Sequence, residues 1–340
     1  MKRLIMGNEA VALGALKAGM NFFAAYPITP ASEIMHFLAK EEGRIVFMHA
    51  EDEIASMHMA IGGSLAGNRA MTSTSGPGMS LKQEGIGLAH MMQVPMVVVN
   101  VMRVGPSTGM PTLPSQGDIM QTRYGSHGDY NPIVFYPASV SECYVYIQQA
   151  FNAAEESRTP VILLMDGFLA HLAETVDLKS IRVPRKKRAI PPLGEGTRHF
   201  TGLLSRDGIP QTKNTDFYRK WYAGYKKRVA RVAEKYAFDS YLPHPDSETL
   251  LIAYGITARV IRPLRRYFSI YRPIRIFPVL ENRIRDITSK YKRVIVVEMN
   301  DGQYRGELQK ILHRDIQGVS VLGGTIKLQE VKKKIDELII

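Results

Sequence analysis

The sequence predicts an α/β fold whose first half is built on a parallel sheet. Short, continuously apolar runs alternate with helical stretches rich in small residues, and each run ends at a Gly, Pro, Asn or Asp. The 340 residues also leave room for two compact units at about 150 residues each. A strand covered on both faces reads as an unbroken apolar run rather than an alternating one, which is the pattern here.

Each element follows from that rule. Predicted strands are Phe22 to Ala25, Arg44 to Met48, Ala70 to Thr74, Met96 to Val101, Ile133 to Tyr136 and Val161 to Met165. From about Ile181 the pattern breaks, first at Val183-Pro184-Arg185-Lys186-Lys187-Arg188 and then at Pro191-Pro192. A basic stretch follows with Phe217, Trp221, Tyr225, Val229, Val232 and Tyr236 at steps of three or four, which predicts a helix with one apolar face. From Glu248 a second α/β unit is expected: a strand over Thr249 to Ala253, a helix over Ala258 to Tyr267, strands over Ile274 to Phe277 and Val294 to Val297, and an amphipathic helix near Leu328 to Leu338. The expected organisation is therefore 1–180, a linker with an amphipathic helix over 181–245, and 246–340.

Composition narrows the class. Hydrophobic residues make up 45% and charged ones 22%, ordinary globular values that exclude a disordered or collagen-like chain. Apolar stretches such as Val94 to Met102 are far shorter than the roughly 20 residues of a spanning helix. The N-terminus reaches Asn8 and Glu9 before a signal-peptide core could form, so a cytoplasmic protein is expected. The single cysteine, Cys143, forms no internal disulfide and holds no cluster alone, and His49, His58 and His90 fit no metal-ligand motif. No metal ligand set is predicted on this chain. Ten of the 17 methionines fall between Met48 and Met110, a reserve of adaptable packing. The net charge of +12 favours an acidic partner: nucleic acid, an anionic protein or a phosphorylated cofactor. Arg219, Lys220, Lys226, Lys227 and Arg228, interleaved with aromatics, are the best case for nucleic acid. Those aromatics repeat at helical spacing and should face protein, leaving the cations in water, so nucleic acid is not expected.

In parallel sheets ligands bind beyond the carboxyl ends of the strands. The four post-strand segments are Tyr26-Pro27-Ile28-Thr29-Pro30, His49-Ala50-Glu51-Asp52-Glu53, Ser75-Gly76-Pro77-Gly78 and Arg103-Val104-Gly105-Pro106-Ser107-Thr108-Gly109. They should converge on one edge.

These segments in this order, with Phe200-Thr201-Gly202 and Val296-Val297-Glu298-Met299-Asn300-Asp301-Gly302-Gln303 further on, closely resemble the α subunit of the 2-oxoacid:ferredoxin oxidoreductases. The resemblance covers nearly the whole chain. It implies a pyrimidine-type thiamin-diphosphate-binding parallel-sheet domain followed by a transketolase C-terminal-like α/β domain. It implies CoA-dependent oxidative decarboxylation of a 2-oxoacid to acyl-CoA and carbon dioxide with reduction of ferredoxin; the overall likeness leans to 2-oxoglutarate, with branched-chain 2-oxoacids or pyruvate as alternatives. A transketolase-type thiamin component is the runner-up from another enzyme class. The family's diphosphate-and-metal motif and its cluster cysteines have no good match here, so Mg2+ and the iron–sulfur cluster are expected on a β subunit that shares the thiamin diphosphate. The chain starts almost directly at the thiamin domain, so a separate γ chain, or none, is expected, with a ferredoxin-like δ subunit as a further candidate partner.

The site residues follow from the same likeness. Glu51 matches the family carboxylate that meets N1′ of the aminopyrimidine, whose protonation favours the imino tautomer that removes the C2 proton. In an apolar cleft across an interface, burial would raise its pKa and help it share that proton. By spacing alone Glu51, Asp52 and Glu53 also fit a helix N-terminus, where negative charge is favourable, and Asp52 and Glu53 are read as solvated or capping. Arg103 matches the family arginine; a guanidinium offers paired donors to a substrate carboxylate. Thr29, between Pro27 and Pro30, would supply a hydroxyl from a stiffened loop, with Pro27, Ile28 and Thr108 alongside. Ser75, Gly76, Pro77 and Gly78 lack the ending of a phosphate loop and are read as lining the pyrimidine pocket, where glycines let the backbone approach a flat ring.

Overall fold

The computed structural model describes residues 2–188, 190–195 and 202–339. Phe200 and Thr201 of the matched segments lie outside them. The first unit runs β1 (Lys2–Met6), α1 (Gly7–Lys17), β2 (Phe22–Ala25), α2 (Ser32–Ala39), β3 (Val46–His49), α3 (Glu53–Leu65), β4 (Ala70–Thr74), α4 (Pro77–Leu81), α5 (Gln83–Met91), β5 (Met96–Val104), β6 (Met110–Pro114), α6 (Ile119–Tyr124), β7 (Ile133–Phe135), α7 (Val140–Ser157), β8 (Pro160–Asp166), α8 (Gly167–His171) and β9 (Ala173–Asp177). A two-residue hairpin pair, β10 (Ser205–Arg206) and β11 (Ile209–Pro210), precedes α9 (Thr215–Lys235). Then come β12 (Asp239–Leu242), β13 (Thr249–Ala253), α10 (Gly255–Ile261), a 3-10 turn (Arg262–Arg266), β14 (Ser269–Pro273), β15 (Arg275–Phe277), α11 (Glu281–Thr288), β16 (Arg293–Glu298), α12 (Gln303–Leu312), β17 (Gln317–Ser320) and α13 (Leu328–Ile339).

Strand order in the first sheet is β15-β7-β8-β5-β4-β2-β3, with β6 folded back on β5. All pairings from β7 to β3 are parallel. The unbroken apolar run of β5 has a direct cause. Val97, Val99 and Val101 enter one core cluster with α1, α2 and α7, whereas Met96, Val98 and Met102 enter another with α3 and α5. That second cluster continues through Leu250, Ile252, Val294 and Val296 into the second unit, so the two units share a core. The second sheet has the order β12-β14-β13-β16-β17, and α10 and α13 cover its far face.

Three expectations need correction. Ile274 to Phe277 forms a strand, but it pairs antiparallel with β7 in the first sheet (Arg275 opposite Phe135, Phe277 opposite Val134) instead of joining the second. β12, inside the stretch read as linker, is an edge strand of the second sheet. Double-sided burial fails at β3, an edge strand that starts at Val46 rather than Arg44 and exposes Val46 and Met48. The amphipathic helix is α9: Tyr225, Val229, Val232 and Tyr236 are buried while Lys220, Lys226 and Lys227 are exposed. Cys143 is buried on α7.

Candidate active site

β3, β2, β4 and β5 are successive parallel neighbours, so the four segments that follow them or close them do meet at one edge. Arg103, near the end of β5, is 6% exposed, and its Nη1 donates to the carbonyl oxygen of Thr29 at 2.7 Å. The loop holding Thr29 is fixed from below, where Asn8 on α1 donates to Pro30 O at 2.9 Å and to Glu33 on α2 at 3.0 Å. The Thr29 side chain is exposed, and Pro27 and Ile28 are half-buried. Gly76 sits directly against Arg103: a Cβ there would lie 3.0 Å from Arg103 Nε, and the φ of +46° suits glycine.

The buried polar atoms at this edge are the main chemical signal. Thr74 Oγ1, Ser75 Oγ, Asn100 Oδ1 and Arg103 Nε have no hydrogen-bond partner among the described residues. Buried polar groups are nearly always paired, so four orphans on two adjacent strand ends fit a polar ligand bound there. Asn100 Nδ2 donates to Asp118 Oδ2 at 2.9 Å. Burial raises the Asp118 carboxyl to about 6, against the pull of that hydrogen bond and of the Arg103 charge. Burial lowers the Arg103 pKa, and Asp118 and Glu53 oppose it.

Glu51 stands in the turn between β3 and α3 and is exposed. Asp52 caps α3, accepting from Ala55 N at 2.6 Å. Glu53, expected in solvent or as a cap, is buried instead. Its carboxyl packs on the start of α4, where a Cβ on Gly78 would lie 2.6 Å from Glu53 Oε1 and 2.3 Å from Thr74 Oγ1. The room made by Gly76 and Gly78 is thus taken up by this chain's own Arg103, Thr74 and Glu53. Pro77 opens α4. Thr108 is exposed at the tip of the β5–β6 hairpin, where Gly109 is required because a Cβ would lie 1.8 Å from Val104 O.

The structure therefore brings together Arg103, Thr29, Ser75 and Gly76, places Glu51 at the outer margin of the same edge, and leaves Thr108 apart from them on the hairpin tip. Asn100, Asp118 and Lys82, which lies fully buried behind Glu53, went unnoticed in the sequence. Asn100 carried a signal: one amide inside Met96-Val97-Val98-Val99-Asn100-Val101-Met102 must find partners if that run is buried. The described residues contain no group of three or more His, Cys, Asp or Glu arranged to hold a metal ion. No described helix is long and apolar enough to cross a membrane.

A parallel α/β unit with a polar ligand edge thus shares its core with a second, smaller α/β unit, and the comparison with known families assigns this arrangement to the thiamin-diphosphate class. Residues 13–237 match the family model described as pyruvate flavodoxin/ferredoxin oxidoreductase, thiamine diphosphate-binding. The 2-oxoglutarate synthase subunit KorA of Archaeoglobus fulgidus is 41% identical, over 96% of this chain and 97% of that one. Ketoisovalerate oxidoreductase subunit VorB of Methanothermobacter thermautotrophicus is 35% identical, over 99% and 97%. Among solved structures, the 2-oxoglutarate:ferredoxin oxidoreductase from Magnetococcus marinus with 2-oxoglutarate, coenzyme A and succinyl-CoA bound superposes with a TM-score of 0.92 at 28% identity. It covers all of this chain, which spans 65% of that one. The chain belongs to the 2-oxoacid:ferredoxin oxidoreductase family, as an α subunit. That membership sets aside the transketolase-type and nucleic-acid-binding readings.

Proposed function

We propose that this chain, with a β partner, catalyses the CoA-dependent oxidative decarboxylation of 2-oxoglutarate, passing the electrons to ferredoxin. The convergence of Arg103 and Thr29 with four unpaired buried polar atoms at one sheet edge carries the reading. Arg103 binds the substrate carboxylate through its guanidinium, and the Thr29 hydroxyl orients the keto oxygen. Asn100 and Ser75 supply further polar contacts from the adjacent strand ends. Glu51 would be the carboxyl group that meets N1′ of the aminopyrimidine. Bound thiamin diphosphate supplies the carbon nucleophile and electron sink.

Support for a partner comes from the edge itself. Tyr26, Val46, Met48 and Ile54 are exposed apolar side chains around Glu51, and β3 offers an unpaired outer edge. Exposed apolar groupings of this kind mark interaction sites. On this reading the β subunit closes over Glu51 and brings the diphosphate and Mg2+ sites and the iron–sulfur cluster, with separate γ and δ subunits as additional partners.

The test is viologen-dye reduction by the complex reconstituted with its partner chains, run across a panel of 2-oxoacids. Turnover preferring 2-oxoglutarate supports the reading. The VorB relative supports a second one, branched-chain 2-oxoacids, which a preference for 2-oxoisovalerate would select. Glu51→Gln is expected to abolish decarboxylation while sparing assembly; normal turnover would remove Glu51 from the chemistry. Arg103→Ala should lower kcat/KM at least about tenfold, since a hydrogen bond to a charged group is worth roughly 1.5–3 kcal/mol.

A further inference from the structure

Lys82, between α4 and α5, is 0% exposed, the only lysine among the buried residues described. Its Nζ donates to Glu53 O at 3.0 Å, to Thr72 Oγ1 at 3.1 Å and to Ser56 Oγ. Ser56 Oγ in turn donates to Glu53 O at 3.0 Å. An ammonium has three hydrogens and no acceptor site, so three acceptors satisfy it completely. Two of them lie in the first turn of α3 and the third lies in the middle of β4. Lys82 therefore ties the turn that begins at Glu51 to the strand that ends at Thr74, just before Ser75.

The placement runs against two general preferences. A buried charge is costly, and a cation is disfavoured at a helix N-terminus. The compensation is local: Glu53 and Asp52 are the charges that face Lys82 from α3, in that order of effect. β4 contributes only the Thr72 hydroxyl, and Glu84, two residues along the chain, pairs with His58 at 3.5 Å on the exposed side. Glu53 also acts on Arg103, so one buried carboxylate faces the lysine behind the site and the arginine within it.

We propose that the Lys82 ammonium is a positioning residue, the internal peg that fixes the Glu51 turn against β4 for cofactor activation, and that loss of its proton loosens that turn. Without the third hydrogen, the amine holds its third partner only by accepting from the Ser56 or Thr72 hydroxyl, a weaker bond than the charge-assisted one it replaces. Burial brings the lysine down to about 7, which puts this change within the working pH range. The inference rests on the reading of Glu51 as the group that meets the aminopyrimidine.

The experiment compares wild type, Lys82→Met and the milder Thr72→Val, each in complex with the partner chains. In Lys82→Met, kcat should fall about 10-fold or more, the scale of misplacing a catalytic group, while KM for the 2-oxoacid stays within about twofold. Thr72→Val should fall between the two. Hydrogen–deuterium exchange supplies a readout apart from turnover. Amides 53–57 should exchange faster in Lys82→Met, and in wild type on raising the pH from 6.5 to 8.5 after correction for intrinsic rates. Unchanged exchange in both Lys82→Met and Thr72→Val would overturn the proposal. If Lys82→Met does not assemble, Thr72→Val decides alone. A Glu51→Gln complex that keeps its turnover would sink the Glu51 reading, and the exchange data would still test the peg separately.

Discussion

At the residue scale, Arg103 works under the influence of two carboxyls, Asp118 and Glu53. Asp118 has the larger say over pH. Its carboxyl sits at about 6 because burial disfavours the anion, so the folded chain binds its proton more tightly than the unfolded chain does. The stability it contributes is present below the ordinary aspartate pKa and is lost as pH rises through about 6. The same ionisation places an anion near the substrate clamp. KM for the 2-oxoacid should therefore rise as pH passes 6, and Asp118→Asn should flatten that rise; a KM profile identical in the variant would separate Asp118 from the clamp. Arg103 and Thr29 drew notice in the sequence because each stands where an apolar run gives way to a segment of unusual composition, Arg103 just before the end of β5 and Thr29 in the loop after β2. Asp118 was not, since it reaches Asn100 from beyond β6, a proximity that only the folded hairpin creates. Lys82 was hidden for a similar reason, because a lysine after a short helix reads as solvent-facing until the neighbouring turn covers it.

At the element scale, α5 and α9 are joined by a buried pair. Tyr225 Oη accepts from Asn131 N at 2.9 Å and shares a hydrogen bond of 3.0 Å with His90 Nδ1. Burial lowers His90 to about 3. Between about pH 6.5 and 3 the unfolded chain binds a proton that the folded chain refuses, so stability present above 6.5 drains away as pH falls, by about 1.4 kcal/mol per pH unit. Thermal unfolding at pH 7 and pH 5 should show a larger drop for wild type than for His90→Gln, and equal drops would show that His90 titrates in the fold. Most central strands were readable from apolar continuity, and β2, β4 and β13 matched residue for residue. β1, β6, β9, β10, β11, β12, β14 and β17 were missed, the buried β14 because Arg272 and Pro273 break its apolar run. The others are short and largely part-exposed or exposed, so no continuous apolar run announces them. For β15 the residues were right and the sheet was wrong: its partner lies about 140 positions earlier in the chain, beyond the reach of local pattern.

At the scale of the whole molecule, one side chain joins the two units. Gln116, fully buried, donates from Nε2 to Tyr254 O at 2.9 Å and to Tyr136 Oη at 3.2 Å, and its Oε1 accepts from Met299 N at 2.9 Å. Asn300 adds a donor to Gln116 O at 2.8 Å, and Gln303 holds Gly117 O and Met120 N. Gln116→Ala should cost about 1–3 kcal/mol, because it leaves the buried Met299 N without its acceptor while Tyr254 O keeps the Thr257 hydroxyl. Calorimetry checks that, and the variant should also raise KM for the 2-oxoacid, since Asp118 is two residues away. The matched run Val296 to Gln303 pointed to this region from the sequence, but not to its task, which is to grip the first unit.

The strand β15 makes residues 246–340 impossible to remove cleanly. A polypeptide ended at residue 245 would strip β7 of its outer neighbour and leave a raw margin open to pairing with other copies. Such a fragment should precipitate rather than survive as a free-standing cofactor module, so the outermost margin of the first sheet is lent by the far end of the polypeptide.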